Sequence, residues 1–267
     1  MTSPDNDGLA QILDLEQIDP WLYRSTYHFQ ERYPLYGGQV AAQAMLAAGR
    51  TSDPDRMPHS MHCYFLRGGD PAKPIVFQVS ADFDGGSFSS RRVIAKQDGD
   101  VIFNCTVSFH KANEGPEIQL VEPEPIGSPD ELGDWDPRRL HSIEMKEPVR
   151  DNPHGSWPKD FLARVSTDLG DDPVLNAAGL IYLTDAGSGL AEIRTPEVGF
   201  LSTIDHTVWL HRIPSINDWH LFNYGPRRTG GGRGLYTGSV FDMDGYLVAT
   251  VAQECLFRYQ KPRREQS

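Results

Sequence analysis

The residue with the clearest chemical potential in this sequence is an aspartate at the end of a predicted helix. The segment DPVLNAAGLIYLTD (172–185) predicts a helix, because Asp172 suits an N-cap and Pro173 the first helical turn. With spacings of four, three and four residues, one face carries Val174, Ala178, Ile181 and Asp185. That face is otherwise apolar, so it would turn a carboxylate inward at the helix end where the macrodipole disfavours negative charge. In the alternative, the helix ends earlier and Asp185 is a solvated turn residue before Gly187.

Two strand-like segments each contribute a polar residue that could act with Asp185. Strand alternation places on one face of the last predicted strand Leu247, Ala249, Val251, Gln253, Cys255 and Phe257. The Gln253 amide on this face needs a partner, which is either the backbone or an active-site water or substrate. In the run STIDH, the same alternation predicts that Thr203 and Asp205 share a face. A carboxylate base with Thr203 and Gln253 as orienting partners could hold and activate a water molecule.

A second set of residues is predicted to bind substrate, and it comprises Gly37, Gly38, His59, Arg91 and Arg233. The glycine pair opens a predicted helix, whose N-terminal N–H groups could accept a phosphate or a carbonyl oxygen. Close packing of that helix on a sheet is the alternative. Arg233 follows Gly230-Gly231-Gly232 in a cationic loop that either holds an anionic ligand or is a solvated hairpin end. One residue of the Arg91-Arg92 pair is expected to face a pocket, which His59 could border.

The elements that must position these residues occur twice along the chain. Residues 86–110 and 232–257 each contain a strand-like run, an Asp-Gly pair and a long apolar strand. Asp-Gly between two such runs predicts a type I′ hairpin turn, which needs positive φ at both central positions. Farther upstream, the aromatic-rich segments 59–67 and 205–212 also resemble each other.

Each half has one predicted helix before its strands, Gly38–Ala48 in the first half and Pro173–Asp185 in the second. Each half is therefore interpreted as a helix followed by four antiparallel strands. A single sheet around one helix leaves an exposed edge and an apolar face, so two such units would pair within one chain. Residues 112–160, rich in proline, acids and glycine, are interpreted as the connecting linker.

Composition excludes several classes of protein. Of the 267 residues, 39% are hydrophobic and 23% charged, as in globular proteins, and the net charge of −12 argues against nucleic-acid binding. Three cysteines in hydrophobic runs without CxxC spacing indicate reduced core residues. No stretch approaches the roughly 18 to 20 apolar residues of a membrane span. The start has no secretory signal pattern, so a cytoplasmic location is expected. His59 and His62, three apart on a strand, face opposite sides and do not suit a metal.

Six segments make the chain resemble the type II acyl-CoA thioesterases over nearly its whole length. They are YGGQVAAQAMLAA (36–48), HSMHCYFLRGGD (59–70), GGSFSSRRVIAKQDGDVIF (85–103), IYLTD (181–185), STIDHTVWLHR (202–212) and DGYLVATVAQE (244–254). These motifs are specific and occur in the family's order. Two departures are Cys255 after the Gln-Glu pair, where the family often has glycine, and Gly68-Gly69, where Pro-Gly is common.

The resemblance implies an α+β double hotdog, with two helix-wrapped antiparallel sheets forming a pseudo-dimer. Its expected domains are residues 1–111, the linker 112–160 and residues 161–267, which carry the catalytic residues. It further implies hydrolysis of medium- to long-chain acyl-CoA without a cofactor, a metal or a covalent acyl-enzyme, and assembly into a homo-oligomer. The family's water-activating aspartate, hydroxyl and glutamine correspond to Asp185, Thr203 and Gln253.

Three rival functions are weighed against hydrolysis by activated water. A hotdog enoyl-CoA hydratase usually carries histidine five residues after the aspartate of its DxNPxH motif, where this chain has Leu190. A serine hydrolase is disfavoured because the sequence has no GxSxG motif. A non-catalytic acyl-CoA-binding protein would not need a water-activating set of side chains.

Overall fold

The computed structural model describes residues 8–30, 32–136, 140–149, 157–190 and 198–259. Three helices lie in these ranges, namely α1 (Gly8–Leu13), α2 (Gly37–Gly49) and α3 (Pro173–Thr184). The strands are β1 (Leu15–Asp19), β2 (Leu22–Ser25), β3 (Arg56–Phe65), β4 (Val76–Asp84), β5 (Phe88–Gln97), β6 (Asp100–Lys111), β7 (Gly133–Trp135), β8 (Ile143–Glu147), β9 (Asp160–Val165), β10 (Val198–Leu210), β11 (His220–Gly230), β12 (Arg233–Asp242) and β13 (Leu247–Tyr259). None of these helices is long and apolar enough to cross a membrane.

The strands form one antiparallel sheet whose two halves have the same internal order. Across the sheet the order is β1-β2-β4-β5-β6-β3-β10-β13-β12-β11-β9-β8-β7. In each half a strand (β2 or β9) precedes the helix, and four strands follow it. The five strands of a half are then arranged first-third-fourth-fifth-second. The halves meet where β3 pairs with β10, with Ser60 opposite Trp209 and Cys63 opposite His206. Hydrogen bonds therefore join the two repeats into a continuous sheet around a local two-fold relation.

The two long helices lie against the sheet and run antiparallel to each other. In α2, small side chains permit close packing, and Ala41, Ala44 and Ala47 are fully buried. A Cβ at Gly49 would lie only 2.3 Å from Val174 Cγ1, which shows how closely the end of α2 approaches the start of α3. At the other end, the N-terminus of α2 meets Asp185, the residue after α3. The predicted helix limits are within one residue of those observed.

Two features of the repeat differ from the sequence interpretation. The prediction of a helix followed by four strands omitted β2 and β9, the short strands that precede the helices. Residues 112–160 are also more than a connection, because β7 and β8 lie within them and extend the sheet beyond β9. These strands are only three to six residues long, too short to show clear alternation, so the pattern of apolar residues did not reveal them.

The two predicted Asp-Gly turns have different conformations. Asp98 and Gly99 both have positive φ (50° and 88°), as a type I′ turn requires. In the second hairpin only Gly245 has positive φ, at 87°. There, Asp242 Oδ1 accepts hydrogen bonds from the backbone N–H groups of Asp244 and Tyr246, so a side chain organises a longer turn. The prediction of a hairpin is confirmed in both halves, whereas the turn type is confirmed only in the first.

Candidate active site

Asp185 lies where the end of α3 meets the start of α2. Asp172 caps α3 by accepting hydrogen bonds from Val174 N and Leu175 N, and the helix ends at Thr184. Asp185 follows immediately, and its Oδ2 accepts the Gly38 N–H at 2.9 Å. Tyr36, the N-cap of α2, makes no side-chain capping bond. The Asp185 carboxylate therefore serves as the cap of a helix to which it does not belong, at the end that favours negative charge.

The glycine pair at the start of α2 is required by this close approach. A Cβ at Gly37 would lie 2.7 Å from Asp185 Oδ2, and one at Gly38 would lie 2.7 Å from Tyr182 O. Both distances are shorter than side chains tolerate without movement. The structure thus places the predicted residues Gly37 and Gly38 against Asp185. It also shows that close packing, the alternative explanation for the pair, applies here together with contact to the site.

Gln253 joins Asp185 to Thr203 through its amide nitrogen. Gln253 Nε2 donates to Asp185 Oδ1 at 3.2 Å and to Thr203 Oγ1 at 2.9 Å. The glutamine side chain is buried, whereas Asp185 and Thr203 remain partly exposed. Three separate elements, α3, β10 and β13, thereby bring a carboxylate, a hydroxyl and an amide within hydrogen-bonding distance of one another.

A β-bulge in β10 decides which side chains reach this group. The register of β10 against β13 shifts between Thr203 and Asp205. As a result, Thr203 is opposite buried Cys255, while Asp205 is opposite exposed Tyr64 on β3. The prediction that Thr203 and Asp205 share a face is therefore wrong. The inserted residue, Ile204, turns the two onto opposite faces, as bulges beside active sites commonly do.

Burial gives the Asp185 carboxyl an unusual pKa. Removal from solvent raises the pKa from 3.8 to about 6, and hydrogen bonds from Gln253, Gly38 and Thr203 oppose that rise. The group is ionised at neutral pH, yet its pKa is close enough to neutrality for it to accept and return a proton. A carboxylate of this kind, with a partly exposed surface, can act as a general base toward water.

Hydroxyl groups from neighbouring elements satisfy the last carbonyls of α3. Tyr36 Oη donates to Tyr182 O and Tyr224 Oη to Thr184 O, each at 2.7 Å. Burial raises the pKa of both phenols, so they stay neutral donors. Without these bonds, the carbonyl groups at the end of α3 would be unpaired and would direct the negative end of the helix dipole at Asp185. Neither tyrosine was predicted at the site, because aromatic residues in strands and loops usually indicate packing rather than a polar role.

Two of the predicted substrate-binding residues, Arg91 and His59, are engaged elsewhere. Arg91 is buried, and its guanidinium bonds to Thr51 O at 3.0 Å and to Asp84 at 2.8 Å, so it holds the structure together. His59 Nε2 lies 2.8 Å from Ser108 Oγ, on the sheet face opposite buried Val107. No described contact joins either residue to Asp185, Thr203 or Gln253, so the predicted substrate-binding roles of Arg91 and His59 stay predictions.

Arg233 has a different environment from these two residues. It is exposed at the start of β12, and its Nε lies 3.1 Å from Glu254 on β13. An exposed ion pair of this kind contributes little stability, so the guanidinium can exchange partners. This surface position is compatible with the predicted role in binding an anionic ligand.

A cavity lies at the opposite end of the helix pair. Its volume is about 620 Å³, and its wall includes Arg50 and Met57 from the first half and Asp172 and Val174 from the second. None of its lining residues is Asp185, Thr203 or Gln253. The Asp185, Thr203 and Gln253 side chains are thus separated from this cavity by the length of α3.

Comparisons with known proteins agree with this architecture along the chain. Acyl-CoA thioesterase N-terminal and C-terminal domain families match residues 29–110 and 119–257. Acyl-CoA thioesterase 2 of Haemophilus influenzae is 32% identical over 283 residues, covering 96% of this chain and 98% of that protein. A solved acyl-CoA thioesterase II from Mycobacterium marinum is 35% identical with a TM-score of 0.80, covering 95% of this chain and 99% of that one. A hot dog fold protein from Alicyclobacillus acidocaldarius, 18% identical, covers 95% and 98% with a TM-score of 0.77, and this likeness shows the fold alone.

The antiparallel sheet, its two central helices and these relatives define a thioester hydrolase with a hot dog fold. Within that class, the matches extend over both halves of the chain. The chain belongs to the type II acyl-CoA thioesterases. The family expected from the six sequence motifs is thereby confirmed.

Proposed function

We propose that this protein hydrolyses medium- to long-chain fatty acyl-CoA to a free fatty acid and CoA by direct attack of water. The observation that carries the proposal is the contact of Asp185, Thr203 and Gln253 at the junction of α2 and α3. The substrate class is supported by relatives that are named as acyl-CoA thioesterases.

In the proposed reaction, Asp185 removes a proton from a water molecule held by Thr203 and Gln253. The water oxygen forms a bond to the thioester carbonyl carbon and creates a tetrahedral oxyanion. The Gly37 N–H at the start of α2 stabilises that oxyanion together with the helix dipole, while the Gly38 N–H stays bonded to Asp185 Oδ2. The carbon–sulfur bond then breaks, and protonated Asp185 returns its proton to the departing CoA thiolate. The base is a carboxylate again, and no covalent acyl-enzyme has formed.

We also propose that the chain consists of two hotdog units joined by a linker. Residues 1–111 and 161–267 would be two hotdog units of one pseudo-dimer, with the segment 112–160 between them. The identical strand order of the two halves and their joint at β3 and β10 support this division. The start of β9 at Asp160 supports the beginning of the second unit.

Two observations favour hydrolysis over the rival functions. A protein that only binds acyl-CoA has no need of a carboxyl group whose pKa burial raises to about 6. The histidine of a hotdog hydratase is replaced by Leu190, which is fully buried among apolar residues. Hydration would therefore lack its second acid–base group.

The test is to measure thiol release from acyl-CoAs of C4 to C18 with the wild-type protein and with Asp185→Asn. We expect hydrolysis by wild type, greatest with medium or long chains, and its collapse in the variant while acyl-CoA binding and folding persist. Binding of acyl-CoA without hydrolysis at any chain length would contradict the proposed function and indicate a binding protein. Full activity of Asp185→Asn would contradict the assignment of the base.

A further inference from the structure

Three arginines without an acidic partner lie at one end of the sheet. Arg227, Arg228 and Arg258 are exposed, and none of them forms an ion pair with another described residue. Arg227 bonds to a nearby hydroxyl and Arg258 to a backbone carbonyl, both of which are uncharged. Most other described arginines are paired with an acid, as Arg24 is with Glu16. In a chain with a net charge of −12, three such cations in one place call for an explanation.

The guanidinium groups of Arg228 and Arg258 approach the same glycine turn from two sides. Gly231 and Gly232 connect β11 to β12, and both have positive φ (61° and 74°), as a type I′ turn requires. A Cβ at Gly230 would lie 3.7 Å from Arg228 Nε, and one at Gly232 would lie 3.7 Å from Arg258 Nη1. The two cations therefore flank a turn that has no side chains of its own to cover its backbone.

Arg233 on β12 adds a further cation beside this turn. It is exposed, and its only ion pair is the exposed one with Glu254, which a stronger anion could replace. Arg233 is opposite Leu256 on β13, and Gln253 faces inward, so alternation places Arg233 and Arg258 together on the outer face of the sheet. Three adjacent strands thus present guanidinium groups to one place. Guanidinium groups bind phosphate oxygens through paired, charge-assisted hydrogen bonds.

The distance from these arginines to the candidate active site suits the shape of CoA. Gln253 is opposite Tyr236, which is three residues from Arg233 along β12, and Arg258 is five residues from Gln253 along β13. At about 3.3 Å per residue, the two arginines stand about 10 and 17 Å along the strands from Gln253. In CoA, the pantetheine arm separates the sulfur from the phosphates by a comparable length. With the thioester at Asp185, the arm would pass the end of the sheet and place the phosphates beside the arginines.

We propose that Arg228, Arg233 and Arg258 bind the phosphate groups of the CoA moiety and make the enzyme selective for CoA thioesters over thioesters without phosphates. The proposal rests on the proposed function, because it concerns the same substrate. In the free enzyme Glu254 holds the Arg233 guanidinium beside the turn, and a bound phosphate takes its place. The phosphates are remote from the carbonyl carbon that reacts, and their binding is the same before and during the reaction. Their contacts should therefore lower KM and leave kcat unchanged.

The kinetic test compares two substrates with the same thioester, decanoyl-CoA and decanoyl-pantetheine, of which the second has no phosphate. We expect the double variant Arg228→Ala/Arg258→Ala to raise KM for decanoyl-CoA about 100-fold, with kcat changed by less than about twofold. Its KM for decanoyl-pantetheine should equal that of wild type. Arg24→Ala, which removes an exposed arginine on β2, should change neither KM. An unchanged KM for decanoyl-CoA in the folded double variant, or an equal rise for both substrates, would overturn the proposal.

Binding can also be measured without turnover. Adenosine 3′,5′-bisphosphate carries phosphates on the nucleoside of CoA, and calorimetry should show that it binds wild type and Arg24→Ala equally and the double variant about 10-fold or more weakly. Equal binding to wild type and the double variant would overturn the proposal, whatever the activity of the protein. So would inorganic phosphate that binds wild type as tightly as the nucleotide, since the arginines would then be a general anion site. Inactivity of wild type toward every acyl-CoA would instead remove the proposed function and leave calorimetry to decide whether the arginines bind the nucleotide.

Discussion

At each end of the α2–α3 pair, the end of one helix lies beside the start of the other. The residue that follows the helix is an acid at one end and an arginine cation at the other. At one end, Asp185 follows α3 and binds the N-terminus of α2, whose N-cap residue, Tyr36, makes no side-chain capping bond. At the other end, Arg50 follows α2, and the N-terminus of α3 is already capped by Asp172. The Arg50 guanidinium donates a hydrogen bond to Leu15 O, and as a cation it cannot act as a base. An uncapped helix and a carboxylate on its partner therefore occur together at one end only.

The sheet shows the same asymmetry beneath the helices. The two-fold relation at the β3–β10 joint matches His206 with Met61, which is also buried, because His206 is opposite Cys63 as Met61 is opposite Val208. In the second half His206 is paired with Gln253, and in the first half Met61 is paired with Val107. The amide and imidazole of one half are thus two apolar side chains in the other. A repeated fold provides two equivalent places, and only the one with the full set of polar side chains has the means to activate water.

The largest expected difference concerns the two residues that follow the helices. Asp185→Asn should lower kcat about 10²- to 10⁴-fold, because it removes the general base while keeping the side chain's shape. Arg50→Ala, at the other end, should leave kcat within experimental error, since the Arg50 guanidinium contacts Leu15 O and the Tyr23 ring, both away from Asp185. Single-turnover hydrolysis with each variant measures both effects. A comparable loss of kcat in Arg50→Ala would show that the second end takes part in catalysis.

The next contrast concerns the glycines that allow the helices to approach. Gly37→Ala places a methyl group against Asp185 Oδ2 and should lower kcat about 10- to 100-fold by displacing the carboxylate. Gly49→Ala places one against Val174 at the other end and should act on stability, by about 1 to 3 kcal/mol, rather than on kcat. Urea unfolding and kinetics on both variants check the division. Loss of kcat in the folded Gly49→Ala variant would contradict it.

The pH dependence of hydrolysis should show the ionisation of Asp185. Because only the carboxylate can accept a proton from water, kcat/KM should rise with pH through about 6 and then level off. In Gln253→Ala the acid limb should lie at higher pH, since the hydrogen bond that most lowers this pKa is gone. Rates from pH 4.5 to 9 on both proteins provide the comparison. A limb near pH 4 in wild type would mean that Asp185 is not desolvated in the working enzyme.

Sequence patterns were sufficient for the two long helices, for the four strands after each of them and for the identity of the main polar residues, but not for the short strands or the directions of the side chains. Helix limits follow from Asp172, Pro173 and the alanine-rich composition of α2, which act within one turn. The bulge at Ile204 is a one-residue irregularity that leaves hydrophobic alternation almost unchanged, and it reversed the predicted face of Asp205. Arg91 was expected at a pocket because one residue of the adjacent Arg91-Arg92 pair would be solvated and the other would face inward. The buried Arg91 guanidinium instead forms an ion pair with Asp84, which the pairing of β4 with β5 brings near it.

The smallest predicted effect compares the two aspartates as helix caps. Asp172→Ala removes the cap of α3 and should lower the free energy of unfolding by about 1 kcal/mol, with kcat unchanged. Asp185→Asn should instead raise stability at pH 8 by about 1 kcal/mol. The folded pKa of Asp185 is raised, so the contribution of this group to stability is fully present below its ordinary pKa of 3.8 and is lost as pH rises through about 6. An uncharged asparagine avoids that loss and can still accept the Gly38 N–H.

Thermal or urea unfolding of the three proteins at pH 5 and pH 8 separates the two kinds of cap. The stabilising effect of Asp185→Asn should be larger at pH 8 than at pH 5, whereas the deficit of Asp172→Ala should be present at both. If Asp185→Asn is less stable than wild type at pH 8, the bond to Gly38 outweighs the desolvation of the carboxylate. Asp185 would then be a structural cap like Asp172, held at no cost to the fold. The opposite result would show that the protein gives up stability at one end of the helix pair to keep a desolvated base there.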